Sequence, residues 1–281
     1  MNGILLINKP AGYTSHDVVS IIRKKFKFKK VGHAGTLDPF ATGLLILLIN
    51  NATKLSNRLE SLTKEYEGTI LFGNEYDTND ITGSIIDSKE INISLNDIKD
   101  KIKEFMPSHM QLPPTYSAIK KDGIKSYHAA RKGVSLNLSK REVRIYFFDI
   151  IDYKEELSFK TKVSKGTYIR SLARDLGYKL NTFGALSKLN RTKIGNYSLD
   201  KAKTIEDIEL KDLIDEKLLF KDIPKISFND YLARLIKNGV YLDERNTNIK
   251  EDFIACDTAG NYLAFYERVE DKYKPKYFFN Q

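Results

Sequence analysis

The chain has 281 residues, 41% hydrophobic and 30% charged, with a formal net charge of +9 and one cysteine, Cys256. A lone thiol excludes a disulfide framework and a cysteine-cluster metal site, and the longest apolar run, GLLILLI at 43–49, falls far short of the roughly 20 residues a membrane-spanning helix needs. Residues 224–281 carry nine basic and nine acidic side chains, so the cationic excess lies wholly in residues 1–223 and favours a polyanionic partner for the main body. The plainer alternative is a lysine-rich soluble surface.

The chain opens on GILLIN, which reads as a buried strand over 3–8 rather than a secretory signal, so a cytoplasmic protein is expected. Residues 15–26 predict a helix capped by Ser15, with Val18, Ile21 and Ile22 on one face. A continuous apolar strand is expected over 44–49, a helix-compatible stretch over 53–62, and an alternating strand over 66–72. Ser94 and Asp97 form a capping-box pattern for a helix reaching Phe105, after which Pro113-Pro114 opens an irregular basic segment that runs to Arg144. Residues 142–153 and 157–164 predict an antiparallel pair. Ile169, Leu172, Ala173, Leu176 and Leu180 place an apolar stripe on a helix over 167–180, with Arg170 and Arg174 on its other faces. Tyr/Phe-rich segments around Asn238-Gly239 and Gly260-Asn261 suggest a small β domain entered near Pro224. Together these elements predict a mixed α+β fold.

The densest unusual stretch is GHAGTLDPFATG at 32–43, immediately before the apolar strand. Its glycines let backbone approach a ligand, and Pro39 fixes the chain after Asp38, so this carboxylate could serve as nucleophile or base. An isolated Asp-Pro is more often only a turn former. A phosphate loop does not fit, because no Gly-Lys-Ser/Thr follows and the glycines precede a strand rather than a helix.

GHAGTLDPFATGLL resembles the catalytic-aspartate motif of the TruB family, whose members make pseudouridine at position 55 in the T loop of tRNA. Four further blocks are similar and in the right order: ILLINKPAGYTSHDVV, KEYEGTILFGNEYDTNDITG, LPPTYSAIKKDGIKSYHAARKG and VSKGTYIRSLARDLG. The resemblance implies the pseudouridine synthase fold: a mixed, largely antiparallel sheet with flanking helices and a small C-terminal β (PUA-like) domain. It places Asp38 as the catalytic aspartate, Tyr66 as the tyrosine that stacks on uracil, and Arg170 as the arginine paired with Asp38. His33 matches a histidine that helps extrude the target nucleotide, and Leu189 an apolar active-site residue. Lys9 and Tyr168, from the first and last blocks, join the expected substrate-binding set. Isomerising uridine needs the C1′–N1 bond broken, the base turned and C1′ joined to C5, with no redox change, so no cofactor and no metal are expected. Arg170 should favour the ionised form of Asp38.

The expected partner is tRNA through its T stem-loop, with no membrane, no obligatory protein partner and a monomeric state. Six cations and two phenylalanines at 23–30, including Arg23, Lys24 and Lys25, are candidates for phosphate contact. The segment 115–141, with Lys120, Arg131, Lys132 and Arg141, resembles a mobile thumb that clamps the T arm. The expected division is a catalytic domain over 1–223 and a short PUA-like domain over 224–281, where ARLIKNGVYL carries the likeness but the charge is neutral. Two rival readings are a guide-RNA-dependent synthase of the dyskerin type and a noncatalytic tRNA-binding or folding chaperone.

Overall fold

The apolar opening forms β1 (Gly3–Lys9) in a computed structural model that describes residues 1–117, 120–121, 124–126 and 138–279. Helix α1 (Ser15–Phe26) follows, but its cap is Thr14: the Thr14 hydroxyl accepts from Asp17 N and the Asp17 carboxylate accepts from Thr14 N. Ser15 is instead turned inward, 2% exposed, and is bonded to the backbone of Leu37. Strands β2 (Val31–His33) and β3 (Thr42–Ile49) flank the glycine-rich stretch, and β3 pairs antiparallel with β1 along its length. The helix-compatible residues after β3 divide into a 3-10 turn (Asn50–Leu55) and the short α2 (Ser56–Glu60).

Strand β4 (Lys64–Phe72) leads to a hairpin of β5 (Asn74–Tyr76) and β6 (Ile85–Ser88). Helix α3 (Leu95–Lys103) starts on the expected Ser94/Asp97 capping box. After β7 (Ser108–Gln111) come β8 (Lys120–Lys121) and β9 (Ile124–Lys125), then β10 (Arg141–Tyr153) and β11 (Glu156–Val163), antiparallel as the sequence predicts. Helix α4 (Ile169–Lys179) precedes β12 (Gly184–Ile194), β13 (Tyr197–Ser198) and β14 (Ile214–Asp215).

The main sheet has the order β14-β1-β3-β12-β4-β11-β10-β7, with β2 and β13 added on β3 and β12. Among the described strands of this sheet all pairings are antiparallel except β3–β12, where Asn190 lies opposite Thr42 and Arg191 opposite Gly43. Late strand β12 therefore enters between β3 and β4 and brings residues 184–194 to the centre of the sheet. Helices α3 and α4 cover one apolar cluster over β4, β10, β11 and β12. On β1 and β3, Leu5, Ile7, Leu45 and Leu47 pack under α1, while Ile4, Leu6, Leu44 and Ile46 face Phe220, Phe265 and Tyr277. Burial on both faces explains why these strands read as unbroken apolar runs.

A second sheet has the order β15-β17-β18-β19-β16, from β15 (Lys225–Ser227), β16 (Leu242–Asp243), β17 (Phe253–Cys256), β18 (Tyr262–Val269) and β19 (Lys272–Phe278). Gly260 lies in the turn joining β17 to β18, as its sequence suggests, with Gly260 N bonded to Asp257 O. Asn238-Gly239 is not a hairpin turn. It ends helix α5 (Asp230–Lys237), with Gly239 at φ +83°.

Candidate active site

The stretch between β2 and β3 is fixed from three sides. From β1, the Lys9 ammonium donates to Pro10 O and Tyr13 O, both at 2.8 Å, and to Pro39 O at 3.3 Å. From α1, Ser15 Oγ accepts from Leu37 N at 2.9 Å. From β12, the guanidinium of Arg191, 1% exposed, donates to Leu44 O at 2.8 Å, Gly35 O at 3.0 Å and Thr36 O at 3.4 Å. Ordered by these neighbours, the loop can present Asp38 in one direction.

The fourth contact is with the side chain of Asp38 itself. Arg170, in the first turn of α4 and 5% exposed, sends Nη2 to Asp38 Oδ1 at 2.9 Å. Its Nε lies 2.8 Å from Oδ2, but off the line of a hydrogen bond, so this second contact is an ion pair only. The same guanidinium donates to Thr78 O and Tyr116 O, both at 2.9 Å, and stands 3.5 Å from Asp80 Oδ2. Asp80, 3% exposed, is held in turn by Thr82 N at 3.0 Å and the Thr78 hydroxyl at 3.1 Å. Sequence periodicity puts Arg170 and Arg174 on outward faces of α4. Arg170 is buried instead and Arg174 half-buried, because the segments 78–80 and 112–116 cover them with carbonyl and carboxylate oxygens.

A turn-forming role for Asp38 is not what its carboxylate does: Ala41 N bonds to the Asp38 backbone carbonyl, while the side chain meets Arg170 with 31% of its surface exposed. Burial raises its carboxyl above the ordinary carboxylate range, Arg170 pulls against that rise, and Asp80 adds to it. Arg170 thus favours the ionised form as expected, yet burial outweighs it and the net direction is upward. The exposed edge of the carboxylate, where water can still reach, tempers that rise.

Tyr66 and Leu189 join Asp38's neighbours through the sheet. Tyr66, 8% exposed, lies on β4 opposite Arg191 on one side and Thr161 on the other. Leu189, 7% exposed, is opposite Gly68, and both side chains belong to the apolar cluster that contains Leu37 and Ala41. Tyr168 is the N-cap of α4, and its ring lies 4.8 Å beneath the Arg141 guanidinium. Arg141 also bonds Gly166 O. His33 ends β2 with its Nδ1 buried and without a hydrogen-bond partner among the described residues, and burial first, then Arg191 and His16, lower its pKa.

Lys9 departs from the expectation. It is fully buried and spends its ammonium on three backbone carbonyls, so it shapes the loop and offers no free charge to a substrate. Burial lowers its pKa to about 8. Arg23 and Lys24 are exposed at the end of α1, whereas the Lys25 ammonium donates to Ile205 O and Glu206 O. The side chain of Lys120, and all of Arg131 and Lys132, lie outside the described residues. Asp80, Gln111 and Arg191 do not stand out in the sequence. The Asp-x-Thr turn pattern at 80–82 and an arginine within the alternation of 184–194 are the faint signals they leave.

Comparison with known proteins agrees with this architecture. A chain of the archaeal box H/ACA sRNP Nop10–Cbf5 complex superposes with a TM-score of 0.72 at 21% identity, covering 99% of this chain and 86% of that one, a likeness that speaks for the fold alone. The fold is that of the RNA pseudouridine synthases. A family profile described as "TruB family pseudouridylate synthase (N terminal domain)" matches residues 23–169. The tRNA pseudouridine synthase B of Acholeplasma laidlawii is 56% identical over 279 residues, covering 99% of this chain and 100% of the relative. That of Onion yellows phytoplasma is 47% identical over 283 residues, with 99% and 100% covered. The chain belongs to the TruB family of pseudouridylate synthases.

Proposed function

We propose that this protein isomerises uridine to pseudouridine in tRNA, at position 55 of the T loop, with Asp38 as the catalytic carboxylate. The observation that carries the reading is the partly exposed Asp38 carboxylate held by a buried Arg170 on a loop fixed from β1, α1 and β12. In the reaction the C1′–N1 bond breaks and a C1′–C5 bond forms; the hydrogen on C5 leaves as a proton and N1 gains one, so atoms and electrons balance without a cofactor. Asp38 begins this by attack at C1′ or C6, or by removing the C2′ proton. Tyr66 offers its ring to the base, and Leu189 shields the severed sugar from water. The target nucleotide is flipped into the cleft, with His33 at the RNA face and Tyr168 beside the opening.

Identity of 56% and 47% to proteins named tRNA pseudouridine synthase B, against 21% to the box H/ACA chain, favours action on tRNA without a guide RNA. The cations Arg23 and Lys24 are exposed and free to meet phosphates in this reading. Residues 1–223 form the catalytic domain in this reading and 224–281 a small RNA-facing appendage, in a cytoplasmic monomer. The test is release of tritium from a tRNA transcript labelled at uridine C5. Release is expected, and should vanish with Asp38→Asn and with cytidine at position 55. No release by the wild-type chain defeats the enzyme reading and leaves a tRNA-binding chaperone; release unchanged by Asp38→Asn removes Asp38 from its role.

A further inference from the structure

Helix α4 carries Arg170 in its first turn, yet no side chain of its own caps its start: the N-cap is Tyr168, whose side chain makes no capping bond. The cap peptide is held from another element. Gln111, the last residue of β7, is fully buried, and its side-chain amide pairs with both polar groups of the Tyr168 backbone. Gln111 Oε1 accepts from Tyr168 N at 2.8 Å, and Gln111 Nε2 donates to Tyr168 O at 3.0 Å. A primary amide presents one acceptor and a donor side by side, so it can stand in for a neighbouring strand against a single residue, and the N–H and C=O it faces fix which way round it sits. The next residue continues the grip: Leu112 O accepts from Ser171 Oγ and from Arg174 Nη2, both at 2.9 Å. Tyr116 O then accepts from Arg170 itself.

We propose that Gln111 is a positioning residue for the isomerisation, acting through the Tyr168 peptide to set the first turn of α4 and with it the Arg170 guanidinium against Asp38 and the Tyr168 ring at the cleft. The inference rests on the assignment of Asp38 and Arg170 to the active site. Both side-chain bonds of Gln111 among the described residues go to the Tyr168 backbone and neither to Asp38 or Arg170. Its effect is geometric: loss of the two bonds frees the cap residue, and Arg170 stands only two residues farther along. Displacing a catalytic contact by about 1 Å from a distance can cost up to about a hundredfold in rate.

The test is single-turnover tritium release with enzyme in excess over C5-labelled tRNA, for wild type, Gln111→Met, Gln111→Glu, Arg170→Lys and the Gln111→Met/Arg170→Lys double variant. Methionine fills the same space and makes neither bond; glutamate keeps the shape and an acceptor but, ionised, has no donor for Tyr168 O. The expected result for Gln111→Met is a rate constant lower by about ten- to a hundredfold, with tRNA retention on filters within about twofold of wild type. Gln111→Glu should fall between it and wild type. A residue that only stabilised the fold would reduce the fraction of enzyme that binds tRNA and leave the rate constant of the bound fraction unchanged. That outcome overturns the proposal, as does a wild-type rate constant in Gln111→Met. The double variant should be no slower than Arg170→Lys alone, within about threefold, because both changes act on one contact; multiplied losses would overturn the route through Arg170. Asp38→Asn is the control for the underlying reading: if it retains activity the site assignment fails, whereas its inactivity beside an unaffected Gln111→Met defeats the positioning role alone.

Discussion

Arg170 and Asp38 meet along two edges, Nη2 to Oδ1 at 2.9 Å and Nε to Oδ2 at 2.8 Å, although 132 residues separate them. The arginine is the buried partner and the aspartate the partly open one, so Arg170 is committed to the pair while Asp38 keeps an edge open to solvent. A lysine at 170 would keep the charge but lose the planar fork that also binds Thr78 O and Tyr116 O. Arg170→Lys is expected to lower the single-turnover rate constant by about a hundredfold or more while tRNA affinity stays within a few-fold. A loss confined to affinity would show that Arg170 serves binding instead.

Asp80 adds a second carboxylate on the far side of that guanidinium, 3.5 Å from Nη1. Its charge is among the influences that raise the Asp38 carboxyl, and it also holds Arg170 in place. Asp80→Asn removes a negative neighbour, so the Asp38 pKa should fall and the acid limb of the pH–rate profile should move to lower pH. At the same time the plateau should drop, because Arg170 loses part of its anchor. The pH dependence of single-turnover rates checks both directions; an acid limb displaced upward would remove Asp80 from the electrostatics of Asp38.

Much of this arrangement could be read from residue order, and some could not. Asp38, Tyr66 and Arg170 stand in blocks whose order marks them, and the amphipathic pattern of 169–180 located α4 correctly. Strand β12 left no such mark: its apolar residues are interrupted by Lys188, Arg191 and Lys193, and register shifts at 186–188 and 191–193 break the two-residue period. Arg174 reads as a surface charge, yet it bonds Asp175, Asn79 and Leu112 O; Arg191 leaves almost no signal because its partners are backbone carbonyls of distant segments, which have no signature in residue types. Lys9 misleads for the same reason. Its place in the first family-like block puts it among the substrate-binding residues, and its three carbonyl partners identify it as a clamp.

The buried clamps give stability an unusual pH dependence. Burial lowers both Lys9 and Lys64 from their ordinary value to about 8, and the Lys64 ammonium likewise donates to the backbone, at Glu60 O and Leu62 O. Between the folded value near 8 and the unfolded value near 10.5 the unfolded chain binds more protons, so stability rises with pH in that window. Below about pH 8 both states are protonated and the gain is absent. Cys256 and several tyrosines, pushed up by burial, oppose the rise once their unfolded forms ionise near pH 9 and above. The expected gain from pH 8 to 9 is about 1 to 2 kcal/mol in urea unfolding, and Lys9→Met should remove about half of that slope. A flat or falling curve would show that the lysines remain charged in the folded protein.

Gly43 is where the loop carrying Asp38 passes into β3 beside the only parallel pairing among the described strands of the main sheet. Its φ of +101° lies in the region that side chains avoid, and a Cβ there would sit 2.4 Å from both Arg191 O and Asn190 Oδ1. Neither strain nor overlap can be relieved cheaply, because Arg191 O and N are backbone atoms of the central strand, and the same arginine holds Gly35 O and Thr36 O. Gly43→Ala is therefore expected to destabilise the protein by about 2 to 4 kcal/mol, the sum of a positive-φ penalty and overpacking. It should also slow the bound enzyme, since pushing β12 away moves the clamp on the loop that carries Asp38. Gly260→Ala separates the two effects: its φ is also positive, at +82°, but no atom lies within 4 Å of the added Cβ. It should show the backbone penalty of about 1 kcal/mol without the loss in single-turnover rate. Equal losses in both variants would mean that the close approach of β3 and β12 does not set the geometry of the loop.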